Sequence, residues 1–281
     1  MKGIKTLKYA ARTALDIVFP VTCAACSKWT GDEGISVCRD CSSTIKIIDE
    51  SVRVCLVCGK PFALSGGFED NFPRKNSNAV CPSCSATGEI LYNNVFVPED
   101  NFLGEKGAQY VASAYSAVRA AAVYDGILSE LIIKFKYQNA ERLAAFFAGL
   151  LFEAYGRYPE ISSPDIVAPV PLHPFRRFKR GYNQSDLIAR GFARLAGLNY
   201  RESLLRRAYS TPQQAKLSAA ERRKNVAGAF VVPRRGIELA KGKKILLIDD
   251  VMTTGSTLDA CARALMSAGA AEVYCLVVAT D

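Results

Sequence analysis

Apolar and polar positions in the second half of the chain alternate between the spacing of strands and the spacing of helices. Residues 118–126 have the pattern of a strand, and apolar residues at helical spacing follow from Leu128 to Phe135. The stretch 140–158 is apolar on nearly every side, which predicts a buried helix, and 165–171 predicts a short strand. Because strands and helices alternate along the sequence, we expect an α/β fold with a mostly parallel, doubly wound sheet. Such a sheet binds ligands at the carboxyl ends of its strands.

The most informative stretch of the sequence joins an apolar run to two acids and a hydroxyl-rich segment. Residues 245–248 are apolar, Asp249 and Asp250 follow, and 253–257 then open an apolar-periodic helix. Gly255 permits a tight turn in which several N–H groups point at one anion at the helix N-terminus. The carboxylates can accept hydrogen bonds from sugar hydroxyls or help to hold Mg²⁺, so the stretch predicts a site for a phosphorylated ribose. A purely structural turn is the alternative, but it gives no reason for two adjacent acids.

A second anion-binding loop is predicted at the carboxyl end of the strand 165–171. Four basic residues precede Gly181 there: Arg176, Arg177, Lys179 and Arg180. The planar guanidinium of arginine donates two hydrogen bonds to one phosphate group, so this loop suits pyrophosphate. His173 is the only histidine in the chain, which excludes a pair of catalytic histidines. We interpret it as a packed or solvent-facing loop residue in preference to a catalyst.

The positive charge is concentrated in one part of the sequence. The net charge is +9, and residues 172–244 contain 18 lysines and arginines against 4 acids, whereas the remainder contains 18 against 23. This surplus indicates a local site for a polyanion, and an exposed basic loop that aids solubility is the alternative. Ser218 and Glu221 form a capping box within the polar stretch 206–232. Two interpretations of that stretch remain open, a loop that closes over a ligand and a solvated surface loop.

Eight of the ten cysteines form four C-x-x-C pairs in the first third of the chain, a spacing typical of zinc sites. The pairs are Cys23 and Cys26, Cys38 and Cys41, Cys55 and Cys58, and Cys81 and Cys84. They predict two structural Zn²⁺ ions without an open catalytic position, held by consecutive pairs or by interleaved ones. Disulfide bonds are the less favoured alternative, because the rest of the chain has the pattern of a nucleotide-handling domain from a reducing compartment. Cys261 and Cys275 are predicted to be core residues.

The sequence divides into four predicted parts: an amphipathic helix over 1–20, a double zinc ribbon over 21–90, a linker over 91–110 and an α/β domain over 111–281. The first part is basic and lacks a signal-peptide pattern, and a transit peptide is the alternative. The ribbon is too polar to bury a core, so zinc must supply much of its folding free energy. A scaffold and a partner-binding surface are equally open roles for it. No apolar run reaches the roughly 18 residues of a membrane span, and we expect a cytoplasmic protein.

Taken together, these motifs resemble the ComF family, which joins a double zinc ribbon to a type I phosphoribosyltransferase domain. Besides the cysteine pairs, the resemblance rests on YDGILSELIIKFKY, PVPLHPFRRFKRGYNQ, TPQQAKLSAAERRKNVAGAF and LLIDDVMTTGST. It implies that the ligand is 5-phosphoribosyl 1-pyrophosphate (PRPP) with Mg²⁺. A segment outside the core sheet, the hood, selects the acceptor in such enzymes. Since the sequence stops just after the predicted strand 272–280, we expect any hood to precede the core and to come from residues such as those of the ribbon.

The resemblance also implies a role for individual residues. Asp249 and Asp250 take the catalytic role and contact the ribose hydroxyls. The residues assigned to PRPP binding are Thr253, Thr254, Gly255, Ser256, Thr257, Arg177, Arg180 and Gln184. The residues assigned to a flexible loop that covers the site are Gln213, Arg222, Arg223 and Asn225.

Two classes of function follow from the sequence. The first is phosphoribosyl transfer from PRPP, with release of pyrophosphate, to an acceptor that the sequence does not specify. The second is the handling of single-stranded DNA during DNA uptake and natural transformation, a role that the family resemblance implies, with the ribbon and the basic segment contacting phosphates. Four aromatic residues beside the basic run are candidates for base stacking, although core packing explains them equally well: Phe175, Phe178, Tyr182 and Tyr209.

Overall fold

A computed structural model of the 281-residue chain describes residues 21–30, 35–62, 80–81, 84, 113–208 and 228–281. The predicted N-terminal helix, the predicted linker and the predicted flexible loop over 213–225 lie outside the described residues. Within the described ranges, no helix is both long enough and apolar enough to cross a membrane.

A parallel sheet forms the centre of the α/β domain. Its strands are β1 (Ala117–Val123), β2 (Ile166–Pro169), β5 (Lys244–Met252) and β6 (Glu272–Thr280), whereas β3 (Arg206–Arg207) and β4 (Phe230–Val231) form a separate antiparallel pair. The order in the larger sheet is β1-β6-β5-β2, and all three strand pairs are parallel. The predicted α/β class with a parallel sheet is confirmed.

Seven α-helices accompany these strands in the described part of the chain. They are α1 (Arg39–Ser42), α2 (Gly126–Tyr137), α3 (Leu143–Arg157), α4 (Pro174–Arg180), α5 (Gln184–Ala196), α6 (Arg234–Ala240) and α7 (Ser256–Ser267). Short 3₁₀ turns cover Pro159–Ile161 and Glu202–Leu204. The predicted strand and helix over 118–135 and the predicted strand over 165–171 are confirmed with shifted ends.

Both faces of the sheet are buried, as a doubly wound fold requires. Along β5, Leu246 and Ile248 belong to the hydrophobic core on the face covered by α2, α3 and α5. Ile245 and Leu247 point the other way, into the core that includes residues of α7. This alternation explains why a parallel strand reads as a continuous apolar run. Cys261 and Cys275 lie fully buried in the second core, as predicted.

The helix predicted over 140–158 is present as α3 but is buried on one face only. Leu143, Phe147 and Leu151 are buried, but Phe152 is 43% exposed. The buried residues recur four positions apart and therefore share one helix face, while the opposite face meets solvent. The apolar residues on the outer side of α3 did not predict burial correctly, because a helix in the outer layer needs only one apolar face.

The outer edge of β1 is closed by residues of the cysteine-rich segment. Val118 N donates to Val57 O at 2.8 Å, Ile48 N donates to Ala121 O at 2.9 Å, and Val123 N donates to Lys46 O at 2.9 Å. An exposed parallel edge would leave these groups available to other chains. The ribbon thus completes the hydrogen bonding of the sheet.

Arg119 of β1 strengthens the junction from inside the protein. Its side chain is buried, donates from Nη1 to Leu56 O at 2.9 Å and pairs with Glu160. Buried charges are tolerated when they have both an ion partner and hydrogen bonds. The cysteine-rich segment therefore packs against the α/β domain as one structural unit.

The close approach of the ribbon to β1 predicts a cost for a side chain at Gly59. Gly59 has φ +67°, and a Cβ there would overlap the carbonyl oxygen of Val118, whereas Gly242 has φ +66° and no described atom within 4 Å of that position. We expect Gly242→Ala to lower the free energy of unfolding by about 1 kcal/mol through backbone strain alone. Gly59→Ala should cost about 3 kcal/mol or more, because the ribbon must move off the strand.

Urea unfolding followed by circular dichroism measures both values. Equal losses for the two variants would contradict the close packing of Gly59 on β1.

Candidate functional site

The eight paired cysteines form two sets of four in the described residues. One set is Cys23, Cys26, Cys38 and Cys41, the other is Cys55, Cys58, Cys81 and Cys84, and the sulfurs of each set lie within 4.8 Å of one another. Consecutive pairs therefore share an ion, and interleaved pairing is excluded. Sulfurs about 2.3 Å from a tetrahedral zinc ion are about 3.8 Å apart. The Sγ atoms of Cys26 and Cys38 are 3.7 Å apart, and those of Cys58 and Cys81 are 3.6 Å apart, so both sets fit structural zinc.

The first pair of each set repeats the same backbone turn. Ser27 N donates to Cys23 O and Gly59 N donates to Cys55 O, each at 2.9 Å, with positive φ at both donors. The amide of the third cysteine then donates to the sulfur of the first: Cys38 N to Cys23 Sγ and Cys81 N to Cys55 Sγ, each at 3.3 Å. Donors of this kind stabilise a thiolate. The two sets are structural repeats of one zinc ribbon.

A cavity of about 620 Å³ opens beside the carboxyl ends of β2 and β5. Its lining residues are Lys136, Tyr137, Asn139, Val170, Pro171, Leu172, Arg176, Arg180, Asn183, Gln184, Ser185, Arg207, Asp249, Asp250 and Thr257. Both acids of the predicted pair face this space. The location agrees with the sequence-based expectation for a doubly wound sheet.

The two acids have different environments. Asp249 Oδ1 accepts hydrogen bonds from Ser185 Oγ at 2.7 Å and from the backbone N–H of Asp250 at 2.9 Å. Asp250 Oδ1 lies 2.8 Å from Lys136 Nζ. Burial, and then the neighbouring negative charge of Asp250, raise the pKa of Asp249 to about 7. One carboxylate is thus neutralised by an ammonium group, and the other holds a proton in much of the range below neutral pH.

Lys136 is held in its charged form by the same ion pair. Burial lowers the pKa of Lys136, but the attraction and hydrogen bond to Asp250, together with the charge of Asp249, outweigh burial, and the net shift of the pKa is upward. A ligand that contacts Asp250 therefore meets an ammonium group next to the carboxylate. This pairing favours ligands with both hydroxyl donors and negative charge.

The hydroxyl-rich segment forms the turn between β5 and α7. Gly255 has φ +73° and caps α7, and Thr254 Oγ1 lies 2.9 Å from Ser256 Oγ. Thr253 and Thr254 are exposed, whereas Thr257 lines the cavity. The first N–H groups of a helix lack partners within the helix. The segment 253–257, called the phosphate loop below, can therefore offer donors to an anion at the cavity edge.

The predicted basic loop is the short helix α4. His173 Nδ1 accepts a hydrogen bond from Phe175 N at 3.2 Å, and the helix ends at Gly181 with φ +82°. His173 is thus a helix cap, and it does not line the cavity. The basic residues become a helix because Pro174 starts it and the histidine caps its first turn.

The helical period decides which arginines of α4 reach the cavity. Arg176 and Arg180, four positions apart, both line it. Arg177 instead points to Glu202, with Nη2 3.1 Å from Oε1. Arg176 was not assigned to binding, because a segment interpreted as a loop does not show which of its side chains point in the same direction. The structure places Arg180 at the cavity and Arg177 in an ion pair outside it, and the binding roles of both stay predictions.

Gln184 presents a buried donor at the cavity. Its Oε1 accepts from Arg180 Nη1 at 3.1 Å, while its Nε2 is buried and has no hydrogen-bond partner among the described residues. An unsatisfied buried amide costs about 1–3 kcal/mol. A ligand oxygen in the cavity would satisfy it, which supports the predicted binding role of Gln184.

The end of α2 supplies cavity residues that sequence reasoning did not assign. Lys136, Tyr137 and Asn139 line the cavity, and the guanidinium of Arg180 lies 5.0 Å from the ring centre of Tyr137. The described ribbon residues do not line it. The expected hood stays a prediction; in the described part of the chain the end of α2, which follows β1 inside the α/β domain, lines the cavity. The sequence signal that could have identified Lys136 and Tyr137 is the motif YDGILSELIIKFKY, which ends in these two residues.

Two family models match this chain. The double zinc ribbon domain matches residues 14–85, and the phosphoribosyl transferase domain matches residues 204–281. The first match covers both cysteine sets, and the second covers the acid pair and the phosphate loop.

Three relatives show similar sequences. Competence protein F of Haemophilus influenzae is 36% identical over 52% of this chain and 65% of its own length. The DNA utilization protein YhgH of Salmonella typhimurium is 35% identical over 54% of this chain and 68% of its own length. Competence protein ComFC of Bacillus subtilis is 25% identical over 84% of this chain and 80% of its own length. The chain spans about two thirds of the first two relatives.

The raised pKa of Asp249 predicts a pH-dependent effect of its neutralisation. The folded protein binds the proton more tightly than the unfolded chain, so ionising this group costs stability as pH rises from about 4 to about 7. Asp249→Asn removes the cost. Relative to the native protein, the variant should gain about 1–3 kcal/mol of unfolding free energy at pH 8 and almost nothing at pH 4.

Thermal melts of both proteins between pH 4 and pH 8 test this expectation. A difference in melting temperature that does not change with pH would contradict the assigned environment of Asp249. Ser185→Ala serves as the opposite variant, because it keeps the carboxyl group and removes a hydrogen bond that lowers the pKa of Asp249, so the dependence on pH should remain or become steeper.

Proposed function

The chain belongs to the ComF family, and from this premise we propose that its cavity binds PRPP with Mg²⁺ and transfers the phosphoribosyl group. One observation carries the proposal: the acid pair, two arginines of α4 and Thr257, the last residue of the phosphate loop, line a single cavity. Each group suits one part of PRPP. PRPP has ribose hydroxyls between a 5′-phosphate and a pyrophosphate, and the groups at the cavity suit each of these parts.

The parts of PRPP are assigned by charge and hydrogen bonding. The phosphate loop takes the 5′-phosphate through N–H and hydroxyl donors. Asp249 and Asp250 accept the ribose hydroxyls and offer carboxylate oxygens to Mg²⁺, which would offset the negative charge of the pyrophosphate. Arg176 and Arg180 take the pyrophosphate, with Gln184 Nε2 as a further donor. Arg177 is paired with Glu202 outside the cavity and is assigned no contact with PRPP.

The proposed reaction is a substitution at C1 of the ribose. The bond from C1 to the pyrophosphate oxygen breaks, and a bond forms from C1 to a nucleophilic atom of the acceptor, which loses its proton. Positive charge develops on the ribose ring in the transition state, and the carboxylates beside it stabilise that charge. The arginines stabilise the negative charge that collects on the departing pyrophosphate.

We predict that wild-type protein binds PRPP in the presence of Mg²⁺ and that the double variant Asp249→Asn with Asp250→Asn binds it at least about tenfold more weakly. The reason is that amides accept ribose hydroxyls and metal ions less well than carboxylates. Titration calorimetry measures the affinity, and circular dichroism checks the fold. Equal affinity in a folded double variant would discard the assignment of the acids.

The helical face of α4 supplies a matched pair of variants. Arg176→Ala should weaken PRPP binding by about tenfold, the effect of one charge-assisted contact, because Arg176 lines the cavity. Arg177→Ala should weaken it by less than about threefold, because Arg177 is paired with Glu202 outside the cavity. A larger loss of PRPP affinity in Arg177→Ala than in Arg176→Ala would mean that pyrophosphate binds on the other face of α4.

A second candidate function is binding of single-stranded DNA, and an exposed aromatic surface favours it. Phe175 is 68% exposed and Phe178 is 88% exposed on the basic helix α4. Aromatic faces beside arginines stack bases while the arginines contact phosphates. Tyr182 does not share this surface, because it is buried and donates to Phe135 O, and Tyr209 lies outside the described residues. Relatives named for competence and DNA utilization support a link to DNA.

We predict that an oligodeoxythymidine strand binds with an affinity that falls steeply with salt, with a log-log slope of about 0.7 per neutralised phosphate. Phe178→Ala should weaken binding by about tenfold with an unchanged slope, because stacking does not release ions. Phe152→Ala is the control, since Phe152 is exposed on α3. Fluorescence anisotropy with saturating PRPP added then tests whether the two ligands compete for the mouth of the cavity. Binding insensitive to salt and to Phe178→Ala would remove α4 as the DNA site.

A further inference from the structure

The two zinc sets lie on opposite faces of the central sheet. Cys23 and Cys41 of the first set belong to the core that contains α2 and α3. Cys55 and Cys58 of the second set belong to the other core, which contains residues of α7. Since α7 begins at the phosphate loop, only the second set shares a core with the proposed phosphate site.

Tyr115 lies between the second zinc set and the phosphate loop. Its side chain is 7% exposed and belongs to the same buried cluster as Cys55 and Cys58. At its other end, the hydroxyl oxygen lies 3.0 Å from the position that a Cβ of Gly255 would occupy. The phenol ring thus supports the backbone of the phosphate loop at its left-handed residue.

Hydrogen bonds fix the segment that carries Tyr115. Ala114 N donates to Asp259 Oδ1 in the first turn of α7 at 2.7 Å, and Ser116 N donates to Val273 O of β6 at 2.7 Å. Two residues later, Val118 N donates to Val57 O, which lies between the ligands Cys55 and Cys58. One short stretch therefore contacts α7, the sheet and the second zinc set.

We propose that Tyr115 is a positioning residue through which the second zinc set holds the phosphate loop in its anion-binding conformation. This inference rests on the proposed function, because it assumes that the loop binds a phosphate. Loss of zinc from the second set releases the packing around Tyr115 and weakens phosphate binding. Loss of zinc from the first set leaves the loop unchanged, because that set packs on the other face of the sheet.

Matched zinc-ligand variants test the proposal in the full chain. Cys84→Ser and Cys26→Ser should each lower the zinc content by one ion per chain, measured by mass spectrometry of the metal. Ribose 5-phosphate, which carries only the phosphate assigned to the loop, and PRPP with Mg²⁺ are the probes in calorimetry. We expect Cys84→Ser to weaken both at least about fivefold, the lower end of typical couplings between sites. Cys26→Ser should weaken ribose 5-phosphate by no more than about twofold, because the first set does not share a core with the phosphate loop.

Two further variants make the result independent of unfolding. Cys84→His keeps a zinc ligand and should restore both the metal and the affinity. Tyr115→Leu keeps both zinc ions and a buried apolar side chain, yet should weaken ribose 5-phosphate at least about fivefold, since it no longer reaches Gly255. If Cys84→Ser fails to fold, the Tyr115→Leu result decides.

The outcomes separate this inference from the function on which it rests. Wild-type protein that binds neither probe refutes the proposed function, and the coupling with it. Wild-type protein that binds both, with unchanged affinity in Cys84→Ser or Tyr115→Leu, overturns the coupling alone. Equal losses in Cys26→Ser and Cys84→Ser overturn it too, because a general loss of stability would then explain the effect.

Discussion

The open edge of β1 is the constraint on which the arrangement of this protein depends. A parallel edge strand presents unpaired N–H and C=O groups, and here Val57, Ile48 and Lys46 satisfy them from the cysteine-rich segment. That segment cannot bury a core of its own, so its position depends on zinc. The sheet therefore has a complete edge only when the ribbon is folded. The folded ribbon and the edge of the α/β sheet share one set of hydrogen bonds, which gives the described ribbon a scaffold role and leaves a partner-binding surface open.

The cavity brings several charged and polar side chains close together. Asp249 and Asp250 are adjacent, and one carboxylate is relieved by Lys136 while the pKa of the other is raised. Arg176 and Arg180 add positive charge at the same space, and Gln184 holds a buried donor that no described residue satisfies. Each of these costs free energy in the free protein and is relieved by a ligand that offers hydroxyl donors and phosphate oxygens. This arrangement thus favours ligand binding and lowers the stability of the protein when no ligand is bound.

Local patterns predicted the parts of the fold and site that depend on neighbours in sequence. The apolar run before Asp249, the glycine at 255 and the paired cysteines each specify a local geometry, and the strand, the turn and the two zinc sets followed. The contact of Arg177 with Glu202 could not be predicted, because it requires 174–180 to form a helix. That helix is capped by His173. Lys136 meets Asp250 across more than a hundred positions, and Val57 meets Val118 across sixty-one. No periodicity encodes such pairs, because tertiary packing alone brings them together.

The location of each zinc set has a consequence that composition alone does not reveal. Both sets have the same ligands and the same turn, so their intrinsic zinc chemistry is alike. They differ in what lies beneath them: α2 and α3 on one face of the sheet, α7 and the phosphate loop on the other. Coupling between sites requires a packed element between them, and Tyr115, which shares a buried cluster with Cys55 and Cys58 and contacts Gly255, is the element proposed for the second set. Duplicated zinc ribbons on two faces of one sheet can therefore stabilise the same strand while only the second shares a core with the helix that follows the phosphate loop.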